Sequence, residues 1–231
     1  MDNEPNISTI AALLGDPTRS RICLALCDGR PLPAGELALR ACASAQATSN
    51  HLAKLRDEGL VTVEATSRCR YYRLAGAEIA RAIEALAIVT PAPPMRSVSV
   101  ARADALRNGR TCYDHLAGIL GVGLAEAMVE RGWLVVSGAN FEVLSKGVTA
   151  FASLGIDTAS IRKEQRSFAL VCVDWSERRP HIAGGLGAAL LERLIGLGWV
   201  RRQPRSRAVS LTPSGYQGLT NTLGYKHPQN G

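Results

Sequence analysis

Apolar residues at 7, 10, 11, 13 and 14 trace one face of a short helix. Asp16-Pro17 then reads as a helix start. The carboxylate caps the first free N–H groups, and proline's missing N–H costs nothing at the first helical position. Ile22, Leu24, Ala25 and Leu26 carry this second helix to about Asp28-Gly29. Residues 36–40 predict a short third helix. Residues 44–58 predict a fourth, anchored by Leu52 and Leu55 and stopped by Gly59. Two β-prone runs, 60–63 and 71–74, flank a polar turn at 65–70 and predict a hairpin. Helical spacing returns over 76–89. Pro91, Pro93 and Pro94 then stop any helix and favour extended chain. They mark a linker at 91–97 between a domain of residues 1–90 and a second of 98–231.

The second domain repeats itself, and a repeat governs how everything inside it is interpreted. Residues 115–135 and 181–201 align without a gap at an offset of 66, with nine of twenty-one positions identical. His115-Leu-Ala-Gly118-Ile-Leu120-Gly121 returns as His181-Ile-Ala-Gly184-Gly-Leu186-Gly187, and Gly132-Trp133 as Gly198-Trp199. Each copy goes on to a β-prone stretch and a last helix entered through Gly147 or Gly215. The order expected is helix, turn, helix, hairpin, helix, twice, in units of about 98–156 and 165–225. The fold class is therefore mainly α with small β-hairpins: a winged helix-turn-helix domain followed by two winged-helix-like repeats.

Composition narrows the function. Hydrophobic residues are 46% and charged residues 20% of 231, a globular balance. The longest uncharged apolar runs, 116–125 and 182–191, are half of what a membrane span needs, so no membrane partner is expected. Asp2 and Glu4 at the start read as no signal peptide, which places the chain in the cytoplasm with its six cysteines reduced. Eleven aromatics offer little stacking surface for single-stranded RNA. Residues 1–90 carry ten Lys/Arg and ten Asp/Glu, so the whole net charge of +7 lies in 91–231. That charge admits a polyanionic partner.

The fourth helix carries the chemistry of the first domain. Gln46, Thr48, Ser49, Asn50 and His51 are amides, hydroxyls and an imidazole suited to base edges in a major groove. Lys54 and Arg56 suit backbone phosphates, and Arg68, Arg70 and Tyr71 give the hairpin similar contacts. The partner expected is double-stranded DNA. A solvated helix face is the competing interpretation.

The ordered set Leu14-Gly-Asp16-Pro17-Thr18-Arg19-Ser20-Arg21-Ile22, Glu36-Leu37-Ala38, Ser44 to Leu55, Glu58-Gly59-Leu60-Val61 and Tyr71-Tyr72-Arg73-Leu74 resembles the ArsR-type winged-helix repressors over about residues 8–88. The resemblance implies a homodimer, a palindromic operator, and repression relieved by a small inducer. A dimer also doubles the few base pairs that one helix reads. Metal-sensing members of that family carry paired thiolates before the recognition helix, or His/Asp/Glu ligands on the last helix. Here the first region holds Cys42 alone and the second only Glu78 and Glu84. Cys23 and Cys27, four apart among Ile and Leu, read as packing residues.

Outside the resemblance, polar residues lead into each repeat. Cys112, Asp114 and His115 precede the first; Cys172, Asp174 and His181 precede the second. Both sets run Cys, Asp, His, but Cys and His are three apart in one and nine in the other. A sensor site here is one possibility: a soft metal, a metalloid or haem through Cys and His, or an organic ligand held against Trp133, Trp199 and Tyr113. Thiol redox chemistry is another. The plainer alternative has the histidines capping helices or bonding backbone, and Asp174 paired with Arg178 or Arg179. No Cys-x2-Cys or His-x3-His spacing points to zinc, and no cofactor is expected. Helix equivalents at 122–130 and 188–197 are too apolar to read bases, whereas Arg201, Arg202, Arg205 and Arg207 form a basic turn. No catalytic motif appears, so the chain is expected to be a DNA-binding regulator or an architectural DNA protein and no enzyme.

Overall fold

The computed structural model describes residues 4–66, 69–90 and 100–226. The linker at 91–97 and Arg68 lie outside the described residues. The chain divides into two compact units, Met1–Ile83 and Glu84–Gly231.

The first unit runs α1 (Ser8–Leu14), α2 (Pro17–Leu26), β1 (Leu32–Pro33), α3 (Ala34–Ala41), α4 (Ala45–Asp57), β2 (Val61–Thr66) and β3 (Cys69–Leu74) into helix α5 (Ala77–Val89). It is a winged helix-turn-helix. The helices start where the sequence places caps: Asp16 Oδ1 accepts from the Thr18 and Arg19 N–H groups, both at 2.9 Å, and Ser44 Oγ accepts from Ala47 N–H. Asp16→Ala is expected to cost about 0.5–2 kcal/mol. Urea unfolding followed by far-ultraviolet circular dichroism measures it, and an unmoved midpoint would show an idle cap. Ile22, Leu26, Leu37, Leu52, Leu55 and Leu74 fill the core. Cys23 and Cys27 are buried in it too, and burial pushes the Cys23 thiol up to about 12, which leaves it unreactive. The wing is longer than the β-prone runs predict. Pairing extends to Thr66↔Cys69, so residues 65, 66, 69 and 70, expected in the turn, belong to the strands. A two-residue strand, β1, was not expected; it adds to β3 through Leu32↔Tyr72.

The second unit contains α6 (Val100–Asn108), β4 (Arg110–Cys112), β5 (His115–Ala117), α7 (Gly118–Glu130), β6 (Leu134–Ser137), β7 (Asn140–Val143), α8 (Ser145–Ser153), α9 (Thr158–Arg162), β8 (Leu170–Val173), β9 (Pro180–Ala183), α10 (Gly184–Gly196), β10 (Val200–Arg202), β11 (Val209–Leu211) and α11 (Pro213–Leu223). From β4 to α8 and from β8 to α11 the same order appears twice: hairpin, 13-residue helix, hairpin, helix. This corrects the expected leading helix-turn-helix. The residues at His115 and His181 form strands, not the start of a helix. Short apolar runs carry no periodicity long enough to separate the two. Gly118 and Gly184, at φ of +74° and +78°, make the abrupt turn from strand into helix. An added Cβ at Gly118 would lie 2.5 Å from the Arg107 carbonyl oxygen.

The two repeats, expected as units of about 98–156 and 165–225, interlock within one domain. The second hairpin of the first repeat joins the first hairpin of the second in one sheet, β6-β7-β8-β9. In return, Arg110 bridges Ala208, and the Val209 N–H donates to the Gly109 carbonyl at 2.9 Å. Leu120, Leu124 and Met128 of α7 share one core with Leu186, Leu190 and Leu194 of α10. Burying each such side chain contributes about 1.5–3 kcal/mol, so neither repeat keeps its core without the other. Among the described residues no helix is long and apolar enough to cross a membrane.

Candidate functional site

Helix α4 exposes Gln46, Ser49, Asn50, Lys54 and Arg56. Gln46 and Asn50, one turn apart, are joined by an Nε2–H donated to Oδ1 at 3.3 Å. Exposed amides so placed match the donor and acceptor edges of a major groove. Thr48 does not join them. It is fully buried, and its hydroxyl donates to the Ser44 carbonyl at 2.9 Å. Residues 48, 52 and 55 share a helical face, and that face is the core. His51 is half-buried and turns toward the cap of α2, its Nδ1 3.8 Å from Asp16 Oδ1, so it too leaves the reading surface. Arg56 pairs with Asp57 at 2.7 Å in the open, a contact worth little against a phosphate. Arg70 is exposed and Tyr71 half-buried on the wing.

The counterparts of α4 in the second unit point inward. Val122, Leu124, Ala125 and Met128 are buried on α7; Leu190, Leu191 and Leu194 are buried on α10. The basic turn after β10 keeps Arg201 and Arg205 exposed, but Arg207 is buried and pairs with Glu84, the first residue of the same unit. Arg207 is thus a structural ion, not a phosphate ligand.

The residues leading each repeat do converge. In the first hairpin Cys112 faces His115 across the strands; in the second Cys172 faces His181. The unequal spacings are one register with different loops. The first closes through Tyr113-Asp114, with Tyr113 at φ +59°, and the second through a longer loop with Arg178 at φ +58°. The two Sγ atoms lie 4.0 Å apart, and the two imidazoles stack with ring centres 5.1 Å apart. One donor atom from each of the four residues lies within 4.8 Å of every other. Cys112, His115 and His181 are buried. The hydrogen bond with Cys172, together with burial, pushes the Cys112 thiol up to about 12. Burial holds the His181 imidazole below its usual range. Asp114 accepts from His115 Nδ1 at 3.3 Å and is held in turn by Arg166 Nη2 at 2.7 Å. His115 Nε2 and both ring nitrogens of His181 are buried with no hydrogen-bond partner. This corrects the plainer interpretation: the histidines neither cap helices nor bond backbone.

Asp174 stands beside this cluster with a different task. Its partner is Arg110, at 2.9 Å, instead of Arg178 or Arg179, and neither side chain is exposed at all. It also accepts from Gly118 N–H, Ser176 N–H, Ser176 Oγ and Glu177 N–H. Burial opposes its charge, but Arg110 and these donors hold its carboxyl well below the usual carboxylate range. Arg110 lies 4.2 Å over the Trp175 ring. Arg110 went unnoticed in the sequence, and only its place two residues before Cys112 hinted at it. Trp133 and Trp199 are corrections as well. Trp133 packs edge-on to Phe151 and Trp199 against Gly218, both in the shared core. Both pack into the core of the second unit.

A family model for a helix-turn-helix domain matches residues 14–64. The HTH-type transcriptional regulator YdfF of Bacillus subtilis is 47% identical over 212 residues, 91% of this chain and 94% of that protein. The HTH-type transcriptional regulator CmtR of Mycobacterium tuberculosis is 40% identical over 80 residues, 35% of this chain and 67% of that protein. Among solved structures, the cadmium sensor CmtR of Mycobacterium tuberculosis is 35% identical, with a TM-score of 0.32 over 39% of this chain and 98% of that one. A homodimeric winged helix-turn-helix fragment of Mb0332 from Mycobacterium bovis, described as a possible ArsR-family regulator, is 21% identical, with a TM-score of 0.34 over 38% of this chain and 89% of that one.

Proposed function

Since this chain belongs to the family of HTH-type transcriptional regulators, we propose that it acts as a repressor, binding a palindromic operator as a homodimer and leaving it when a small inducer binds. It works by occupying DNA in the cytoplasm, with no catalytic step of its own. The observation that carries this is the contrast between helices. Helix α4 presents Gln46, Ser49 and Asn50 to solvent, whereas α7 and α10 carry no amide or hydroxyl side chain and bury Leu124, Met128, Leu190 and Leu194. A helix that projects amides in a row while its look-alikes stay dry is built to meet polar edges. The dimer follows from the small number of base pairs one such helix reaches.

The test is to select duplexes from a random pool with the full chain and measure affinity by fluorescence anisotropy. Gln46→Ala and Asn50→Ala are each expected to cost about 1–3 kcal/mol on the selected site and to relax preference at one position. Lys54→Ala is expected to weaken all duplexes alike and to lower the salt slope by about 1. Wild-type affinity and preference in the Gln46→Ala/Asn50→Ala double variant would move the reading surface elsewhere.

A further inference from the structure

We propose that Cys112, His115, Cys172 and His181 form a tetrahedral site for one borderline-soft divalent cation of the zinc class, with each repeat supplying one thiolate and one imidazole. The assignment lies wholly within the second unit and does not depend on how the chain binds DNA.

The first support is geometry. A tetrahedral ion with bonds of about 2.0–2.3 Å sets its ligands about 3.3–3.8 Å apart. The two sulfurs stand at 4.0 Å, and no donor pair exceeds 4.8 Å. Closing the widest pair takes about 1 Å of side-chain movement. Four donors round one point fit an ion. A haem plane would have to pass between two of them and displace the other two.

The second support is the state of the imidazoles. Three buried ring nitrogens have no hydrogen-bond partner, and a buried polar atom left unpaired is destabilising. A metal removes that cost for the nitrogens that bind it. The remaining nitrogen of His115 is already committed: with its proton on Nδ1, directed at Asp114, Nε2 is free for the ion. A carboxylate behind a ligating histidine is the usual orienting partner. Arg166 completes the chain by holding Asp114.

The donor chemistry is the third. Two sulfurs and two imidazole nitrogens in a tetrahedron select zinc-class ions over magnesium or calcium, which take oxygen. On binding, the S–H bonds of Cys112 and Cys172 break, two metal–sulfur bonds form, and two protons pass to solvent. No oxidation state changes. Because two protons leave, uptake weakens as pH falls.

The experiment uses the full reduced chain after chelator dialysis, titrated with Co(II) as a spectroscopic stand-in and then with Zn(II). The expected result is a tetrahedral Co(II) visible band with thiolate charge transfer, saturating at one ion per chain and abolished by Zn(II). Cys112→Ser, Cys172→Ser and His181→Ala are each expected to lose that signature, while Cys23→Ser/Cys27→Ser keeps it. Cys112 is buried and its variant can fail to fold, so Asp114→Asn supplies a second measure. It should keep the spectrum and weaken affinity about 10–100-fold. A reduced wild-type chain that takes up no ion overturns the site. So does a signature that survives in Cys112→Ser/Cys172→Ser, or a chain that responds only to oxidant by joining Cys112 to Cys172.

Discussion

Asp174→Ala is expected to destabilise the second unit by about 3–5 kcal/mol, the cost of breaking a buried ion pair from one side. The loss has two parts. Arg110, fully buried, keeps its charge and loses the carboxylate at 2.9 Å. The N–H groups of Gly118, Ser176 and Glu177 lose their acceptor. The three tryptophans of the chain, Trp133, Trp175 and Trp199, all belong to this unit, so urea unfolding followed by tryptophan fluorescence reads it selectively. The double change Arg110→Met/Asp174→Leu is expected to recover much of the loss, because an apolar pair of similar volume leaves no charge stranded. A shift below about 1 kcal/mol in Asp174→Ala would mean that water reaches Arg110 and that the pair is not buried in solution.

The paired glycines at the starts of α8 and α11 should give the other large effect. A Cβ on Gly147 would sit 2.2 Å from the Trp133 carbonyl oxygen, and one on Gly215 would sit 2.0 Å from that of Trp199. Those carbonyls are fixed, since each accepts at 2.9 Å from the N–H of Leu144 or Thr212. Backbone meets backbone, so no side chain can swing aside and the helix must move off the core. Overpacking of this kind costs about 1–3 kcal/mol per site and occasionally more. Gly147→Ala and Gly215→Ala should each lower the urea midpoint, and the double variant should lose at least the sum, because both helices close one core. Gly196→Ala, where an added Cβ meets nothing within 4 Å, is the matched control. An unmoved midpoint in either variant would show that the helix relaxes freely and that the core is not shared.

The first unit was largely legible as sequence because its signals are local. Asp16-Pro17 caps a helix wherever it occurs, and Leu52 and Leu55 mark a buried face without reference to distant chain. Thr48 was legible too, since four residues before Leu52 it belongs on that same face; its hydroxyl drew it into the wrong set. The duplication was plain at an offset of 66, but the hairpins that open each copy were not. Runs of three or four residues carry no period, and β7 finds β8 only when the whole unit closes.

Residue types and order along the chain determined the helix-turn-helix, its exposed amides and the presence of a Cys and a His before each repeat. Tertiary structure alone decided that those four residues meet. Linear spacing counts loop residues, and a loop can lengthen freely while the strand register holds Cys opposite His. It also decided that Arg110 and Arg207 are buried and paired. Whether a cation faces water or a carboxylate depends on what folds over it, and that partner lies 64 residues away for one and 123 for the other.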